Sequence, residues 1–323
     1  MFDIFALYVV FSLYKRRKFL NNVEPYVSVQ LEQRLHRASY DLSPSRKSTL
    51  EKNGSRMLRL AVNELSTYRW SFEEDVLNYS AAGFAAIGIW RPKLTDYGEE
   101  KAVELLRENN LKISSLQWIG GFTGSDGRSY RDSFHDALDT IQLAADINAE
   151  TVVVLSGGRC GHTHNHAARI LKNALKHLAE AAEAVGVQLA LEPMHIGCSS
   201  DWSFVNTVPQ CLDIIANIGS PNLGIVFDCY HLAQDFLETN FLENICPFVR
   251  LVQLGDAKHA PMGEQNRCLL GHGRVPLEQI MRVFQNSGYN GYFELELVGE
   301  EVEHMQYEAV LGQARTAALQ WLC

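Results

Sequence analysis

The sequence predicts an α/β fold of the (β/α)8 TIM barrel type, and three observations lead there. From Leu58 onward, short apolar runs alternate with amphipathic stretches, the pattern of βα units around a parallel sheet. Eight such units can be marked without a break in composition, within the roughly 250 residues that one barrel domain commonly takes. The last four runs each end on a carboxylate or an amide, where a barrel gathers its functional groups.

The units run as follows. The first apolar run, Leu58 to Val62, ends in Asn63-Glu64; Ser71, with Glu73 and Glu74 behind it, then opens a helix that Gly83 closes. The second run, Phe84 to Trp90, is stopped by Pro92, and Glu99 to Asn109 forms the next helix. The third, Lys112 to Trp118, leads into a glycine-rich stretch, Gly120 to Gly127, expected to be a mobile loop covering a site. A helix from Tyr130 to Ile147 follows, with Phe134, Leu138, Ile141 and Ala144 at near-helical spacing. The fourth run, Thr151 to Leu155, breaks into Ser156-Gly-Gly-Arg-Cys-Gly-His162 before a helix from Ala167 to Val185, capped by Gly186. The fifth run, Gln188-Leu-Ala-Leu-Glu192, precedes a helix started by Thr207-Val-Pro209. Runs six and seven end at Asp228 and Asp256, and the eighth begins near Gly291; the last two helices are Pro276 to Asn286 and Glu303 to Trp321. An open doubly wound sheet is the alternative, but the glycine-rich dinucleotide turn expected after its first strand is missing from Asn63-Glu-Leu-Ser66.

The chain has 323 residues, and the barrel is placed at 57–323. Residues 1–56 read as a disordered extension or a misassigned start, with Met57 as the candidate first residue. Within them Ile4 to Tyr14 is apolar and is followed by Lys15-Arg-Arg-Lys18, the reverse of the order in a secretory signal and too short for a membrane span. The remaining membrane reading is a weak surface anchor. A net charge of -9 without a basic stripe in the body of the chain argues against nucleic acid as a partner and for a small-molecule substrate. Seven cysteines without paired spacing or a CxxC fit a reducing, cytoplasmic setting.

The candidate site lies at the ends of runs five to eight. Glu192, Asp228, Gln253 and one of the pair Glu294 and Glu296, which share a strand face, would converge there, with His231 three residues after Asp228. An all-oxygen set suits a hard divalent ion, Mn²⁺ or Mg²⁺, better than Zn²⁺. His195, Lys258 and His259 sit just past strand ends as substrate-binding candidates, and Asp256 as a partner orienting Lys258 or a water. His162, His164 and His166 are close enough to suggest a second metal cluster, against the plainer reading of a solvated loop at a helix start. Arg274, in Gly271-His-Gly-Arg-Val-Pro276, is read either as a contact for an anionic substrate end or as a surface residue.

Leu-Glu192-Pro, Phe-Asp228-Cys-Tyr-His231, Val-Gln253-Leu-Gly-Asp256 and Gly291-Tyr-Phe-Glu-Leu-Glu296 resemble the metal-site motifs of the xylose isomerase-like TIM barrel superfamily. The resemblance spans residues 58 to 320 and identifies the superfamily better than the substrate. It implies Glu296, rather than Glu294, as the eighth-strand ligand, and His231 as a donor to a substrate oxygen, against the plainer reading of His231 as a partner that fixes Asp228. Gln253 stands where many members have histidine; the hydroxypyruvate isomerase-like members have glutamine, so a metal site remains compatible with it.

The expected activity is a metal-dependent sugar or keto-acid isomerase or epimerase. The ion would polarise a carbonyl and its neighbouring hydroxyl. Glu192 and Glu296 would move a carbon-bound proton through an enediolate. The alternative is a lyase or dehydratase acting on an inosose or a 3-keto-glycoside, which shares the ion and the base but expels a leaving group. An abasic-site nuclease of the endonuclease IV type is disfavoured, because Asn266-Arg-Cys268 replaces its Asp-x-His ligand pair. A non-enzymatic sugar sensor has no use for a carboxylate on each side of an ion. A homo-oligomer is compatible with all of these.

Overall fold

The computed structural model describes residues 58–233, 238–263 and 265–321, so the reading of residues 1–56 lies outside the described residues. Eight strands pair in sequence order and close into a parallel barrel: β1 (Leu60–Asn63), β2 (Ala86–Trp90), β3 (Lys112–Gly120), β4 (Ala149–Leu155), β5 (Gln188–Leu191), β6 (Leu223–Asp228), β7 (Val249–Leu254) and β8 (Tyr292–Leu295). Asp228 stands level with Gln253, and Gln253 with Glu294, across neighbouring strands.

Side chains alternate across a strand, so one parity of each strand faces the lumen. The lower lumen is filled by small and branched apolar residues, among them Ala61, Ala86, Val153, Ala190, Val226 and Leu251. Two residues further along five of these strands stand Asn63, Gly88, Glu192, Asp228 and Gln253. That single step of two carries the polar groups to the C-terminal mouth. The opposite parity, including Val62, Ile87, Val152, Leu189, Ile225 and Val252, is buried beneath the helices. Burial of each such side chain stabilises the fold by about 1.5–3 kcal/mol.

The helices follow local signals closely. α1 (Phe72–Ala81) starts with a complete capping box, the Ser71 hydroxyl accepting from Glu74 N–H and the Glu74 carboxylate accepting from Ser71 N–H. β2 ends at Trp90 as expected, and Pro92 sits in the first turn of α2 (Arg91–Tyr97), where its missing N–H costs no bond. α3 (Glu99–Glu108) and α4 (Tyr130–Asp146) come next. α5 (His164–Val185) starts three residues before Ala167, because the Thr163 hydroxyl caps His166 N–H. α6 (Val208–Ile218) is capped by Thr207. The short α7 (Cys229–Leu232) follows β6 directly, and α8 (Thr239–Ile245), which no sequence signal had marked, precedes β7.

After α9 (Leu277–Asn286), a short α10 (Glu300–Glu303) precedes the expected last helix, α11 (Tyr307–Gln320), which starts four residues after Glu303. The start of α11 is fixed by the Tyr307 ring, edge-on to Trp70 at 5.2 Å and beneath the Arg69 guanidinium at 4.4 Å. Among the described residues no helix is long and apolar enough to cross a membrane.

The glycine-rich stretch departs from expectation in its first half. Phe122 and Thr123 are buried, and Thr123 Oγ1 donates to Gly158 O at 2.5 Å. Gly120 has φ +154 and lies so close to β4 that a Cβ would stand 2.0 Å from Leu155 O. Here the glycines permit close packing, and this half is anchored rather than a free cover.

Candidate metal and catalytic site

Each strand end delivers its side chain by a local device. Glu192 follows β5 and stays in register because its N–H donates to Val154 O at 3.0 Å. Asp228 ends β6 and caps α7, its Oδ1 accepting from Tyr230 N–H at 2.7 Å, which aims Oδ2 into the mouth. Gln253 is buried one residue before the end of β7, and Glu296 stands one residue past β8 with its N–H donating to Leu254 O. Gln253 Nε2 donates to Glu296 Oε2 at 2.6 Å. The structure thus brings Glu192, Asp228, Gln253 and Glu296 to one place.

A residue that the strand-end argument passed over stands among them. Arg267 is wholly buried, and its Nη2 lies 2.5 Å from Asp228 Oδ2 and 3.0 Å from Glu296 Oε1. Its guanidinium also lies over the Tyr230 ring at 4.4 Å. Gly255 leaves room for it; a Cβ there would meet Arg267 Nε at 2.7 Å. Backbone pairing of Arg267 N–H with Val298 O holds the segment across the mouth. A signal was present in the apolar run Cys268-Leu-Leu270 directly after it, which marks a loop that goes inside.

The charges do not balance. Three buried carboxylates face one guanidinium, and burial together with Glu296 and Asp228 pushes the Glu192 carboxyl well above its usual range. Burial raises Glu296 to about 7, although Arg267 pulls it down. For Arg267, burial opposes the charged form, but Asp228 and Glu296 more than offset it and raise its pKa. Burial lowers His231 to about 3, so its imidazole is neutral at ordinary pH. His231 Nε2 points at Glu192 Oε1 and Asp228 Oδ2 from 3.9 and 3.8 Å, too far for hydrogen bonds. Nδ1 meets the Cys198 thiol at 3.6 Å.

These residues fit a divalent cation. Gln253 Oε1 and His231 Nε2 are buried with no hydrogen-bond partner among the described residues, an unusual state for groups with lone pairs or protons to offer. Ligand atoms of Glu192, Asp228 and His231 lie within 4.8 Å of one another. A cation would relieve the repulsion among the carboxylates and occupy the idle amide oxygen.

Of the other sequence candidates, His195 lies close enough for its charge to act on His231, whereas Lys258 and His259 turn away from the cluster. His195 is half-buried, and its Nδ1 accepts Gly197 N–H at 3.0 Å. Lys258 turns outward to Glu301, Nζ to Oε2 at 2.5 Å, and His259 is exposed. Asp256 does not orient Lys258: its two oxygens accept N–H groups of Ala257, Gly271, Gly273 and Val275 and brace the following loop. His162 and His166 stack at 4.8 Å, and His164 meets Phe204 edge-on. Among the described residues these histidines are not part of a metal-ligand group.

A family model described as "Xylose isomerase-like TIM barrel" matches residues 76–321. An inosose isomerase of Halalkalibacterium halodurans is 24% identical over 238 residues, 71% of this chain and 83% of that protein. A fructoselysine 3-epimerase of Escherichia coli O157:H7 is 27% identical over 245 residues, 71% of this chain and 86% of that protein. A crystal structure of the IOLI protein with a bound zinc atom superimposes with a TM-score of 0.71 at 19% identity, covering 82% of this chain and 98% of that one; this likeness concerns the fold.

Proposed function

We propose, from the premise that the chain belongs to the xylose isomerase-like TIM barrel family, that it is a divalent-metal-dependent isomerase or epimerase of a small sugar or keto-sugar. One observation carries the reading: among the described residues, Glu192, Asp228 and Glu296 are buried together against a single arginine, beside an amide oxygen with no hydrogen-bond partner. The two relatives, an inosose isomerase and a fructoselysine 3-epimerase, support the substrate class. The ligands would be Glu192, Asp228, Gln253 and Glu296. The predominance of oxygen favours Mn²⁺ or Mg²⁺, although a more distant structure carries zinc. Six free thiols among the described residues suit a cytoplasmic protein.

When bound, the cation polarises a substrate carbonyl and the hydroxyl beside it, lowering the cost of removing the intervening carbon-bound proton. Glu192 and Glu296 take and return that proton. In the metal-free protein burial raises the proton affinity of both. Returning it to the neighbouring carbon isomerises; returning it to the opposite face epimerises. Neutral His231 offers Nε2–H to a substrate oxygen, and Arg267 steadies the charge that grows on the enediolate.

Incubation with a keto-sugar panel in D₂O tests this reading. Solvent deuterium should enter intact sugar and fail to enter with Glu192→Gln. Exchange at the wild-type rate in that variant, or an unsaturated or deglycosylated product in place of sugar, would overturn it.

A further inference from the structure

We propose that Glu294 is a positioning residue, a buried anion one layer below the mouth that fixes Asn63 beneath Glu296 and tightens the binding of a divalent cation there. This rests on the metal-dependent reading of the site above it. Glu294 precedes Glu296 by two residues on the same strand face and is wholly buried.

Its carboxylate reaches across the lumen to β1 and β3. Oε1 accepts from Asn63 Nδ2 at 2.8 Å and from Gln117 Nε2 at 3.4 Å; Oε2 accepts from Ser114 Oγ at 2.5 Å and Ser115 Oγ at 2.8 Å. β2 makes room by having glycine at 88, where a Cβ would stand 2.5 Å from Oε2. The orientation of Asn63 is not free, because its Oδ1 accepts Leu65 N–H at 2.9 Å and therefore aims Nδ2 at the acid.

All four partners are neutral donors, and Glu294 has no ion pair among the described residues. Both carboxylate oxygens are met by side-chain donors, two on each, which is the setting of a carboxylate that accepts at every position. A structural filler at this depth needs no charge, since glutamine has nearly the same shape without the cost of burying an ion. The negative charge instead acts upward, through a medium of low dielectric, on the place where the mouth carboxylates meet. Asn63 links the two layers directly, its Nδ2 lying 3.5 Å from Glu296 Oε2 as well. Partners one layer behind the ligands typically change metal affinity by about 10- to 100-fold when removed.

Calorimetric titration of the full chain with Mn²⁺ at pH 8 tests the assignment on wild type, Glu294→Gln, Asn63→Ala and the double variant. The expected result is one site in wild type, about 10-fold weaker in Glu294→Gln, with metal-free thermal stability unchanged or raised. Asn63→Ala should also weaken it, and the double variant should be weaker than Glu294→Gln by less than the two losses combined. If Glu294→Gln does not fold, Asn63→Ala alone decides. Wild-type affinity in a folded Glu294→Gln, or in Asn63→Ala when it alone decides, overturns the role of Glu294 and leaves the site reading intact. A wild type that binds no Mn²⁺ overturns both.

Discussion

Two groups of buried acids lie near strand ends in this barrel, and they are neutralised in opposite ways. Behind β1 and β2, Asp75 is closed off: Lys93 Nζ donates to its Oδ2 at 2.5 Å and to Thr67 O and Glu64 O, while Thr67 Oγ1 takes Oδ1. Three ammonium protons find three acceptors, and both carboxylate oxygens are used. Across the barrel, Glu192, Asp228 and Glu296 share one guanidinium, and Gln253 Oε1 and His231 Nε2 find no hydrogen-bond partner among the described residues. Around Asp75 itself every carboxylate oxygen and ammonium proton has a partner, although the neighbouring Glu64, whose Oε2 accepts Trp90 N–H, keeps Oε1 buried without one among the described residues. The second group is over-anionic with idle donors and acceptors, which is the state of a site built for something else.

Substitutions separate the two regions most sharply. Asp228→Asn should remove Mn²⁺ binding altogether by calorimetry while leaving a folded barrel. Lys93→Met should do the reverse, costing about 3–5 kcal/mol in denaturant unfolding because it strands a buried acid, with Mn²⁺ stoichiometry unchanged. Arg267→Met lies between them. It should cost the metal-free protein a similar amount, but excess Mn²⁺ should return much of the loss by mass action. A variant equally unstable with and without metal would place Arg267 with Lys93 as a purely structural cation.

A further difference is in pH. In the metal-free protein Glu296 is raised to about 7, against about 4.3 for an unperturbed glutamate. The folded state therefore binds this proton more tightly than the unfolded chain. Its stabilising contribution is full below about 4.3 and is lost as pH rises through about 7. Denaturant melts between pH 4 and 8 should show this loss in wild type and a flatter profile in Glu296→Gln. Equal slopes would mean that Glu296 is not held protonated in the folded state.

Much of this contrast was legible in the residues. Alternation at period two put Ala190 and Glu192, Val226 and Asp228, and Leu251 and Gln253 on one face, so a closed parallel sheet had to bring the acids together. The same period could not separate Glu294 from Glu296. What divides them is depth: the lower one meets neutral donors from β1 and β3, the upper one meets Arg267. Arg267 itself escaped because a loop, not a strand, carries it inward, and loops have no period to read. Lys258 was misplaced for a related reason: its long stem lets the ammonium choose Glu301 at the surface. Helix starts were readable where a hydroxyl caps them, as at Ser71 and Thr207, whereas the start of α11 depended on packing against Trp70.

The most direct test of the central claim is the metal content of the full chain after equilibration with Mn²⁺ and removal of the excess. One ion per chain in wild type, with none in Glu296→Gln, is the predicted result. A wild type without manganese, or a Glu296→Gln variant that retains a full equivalent, would contradict it.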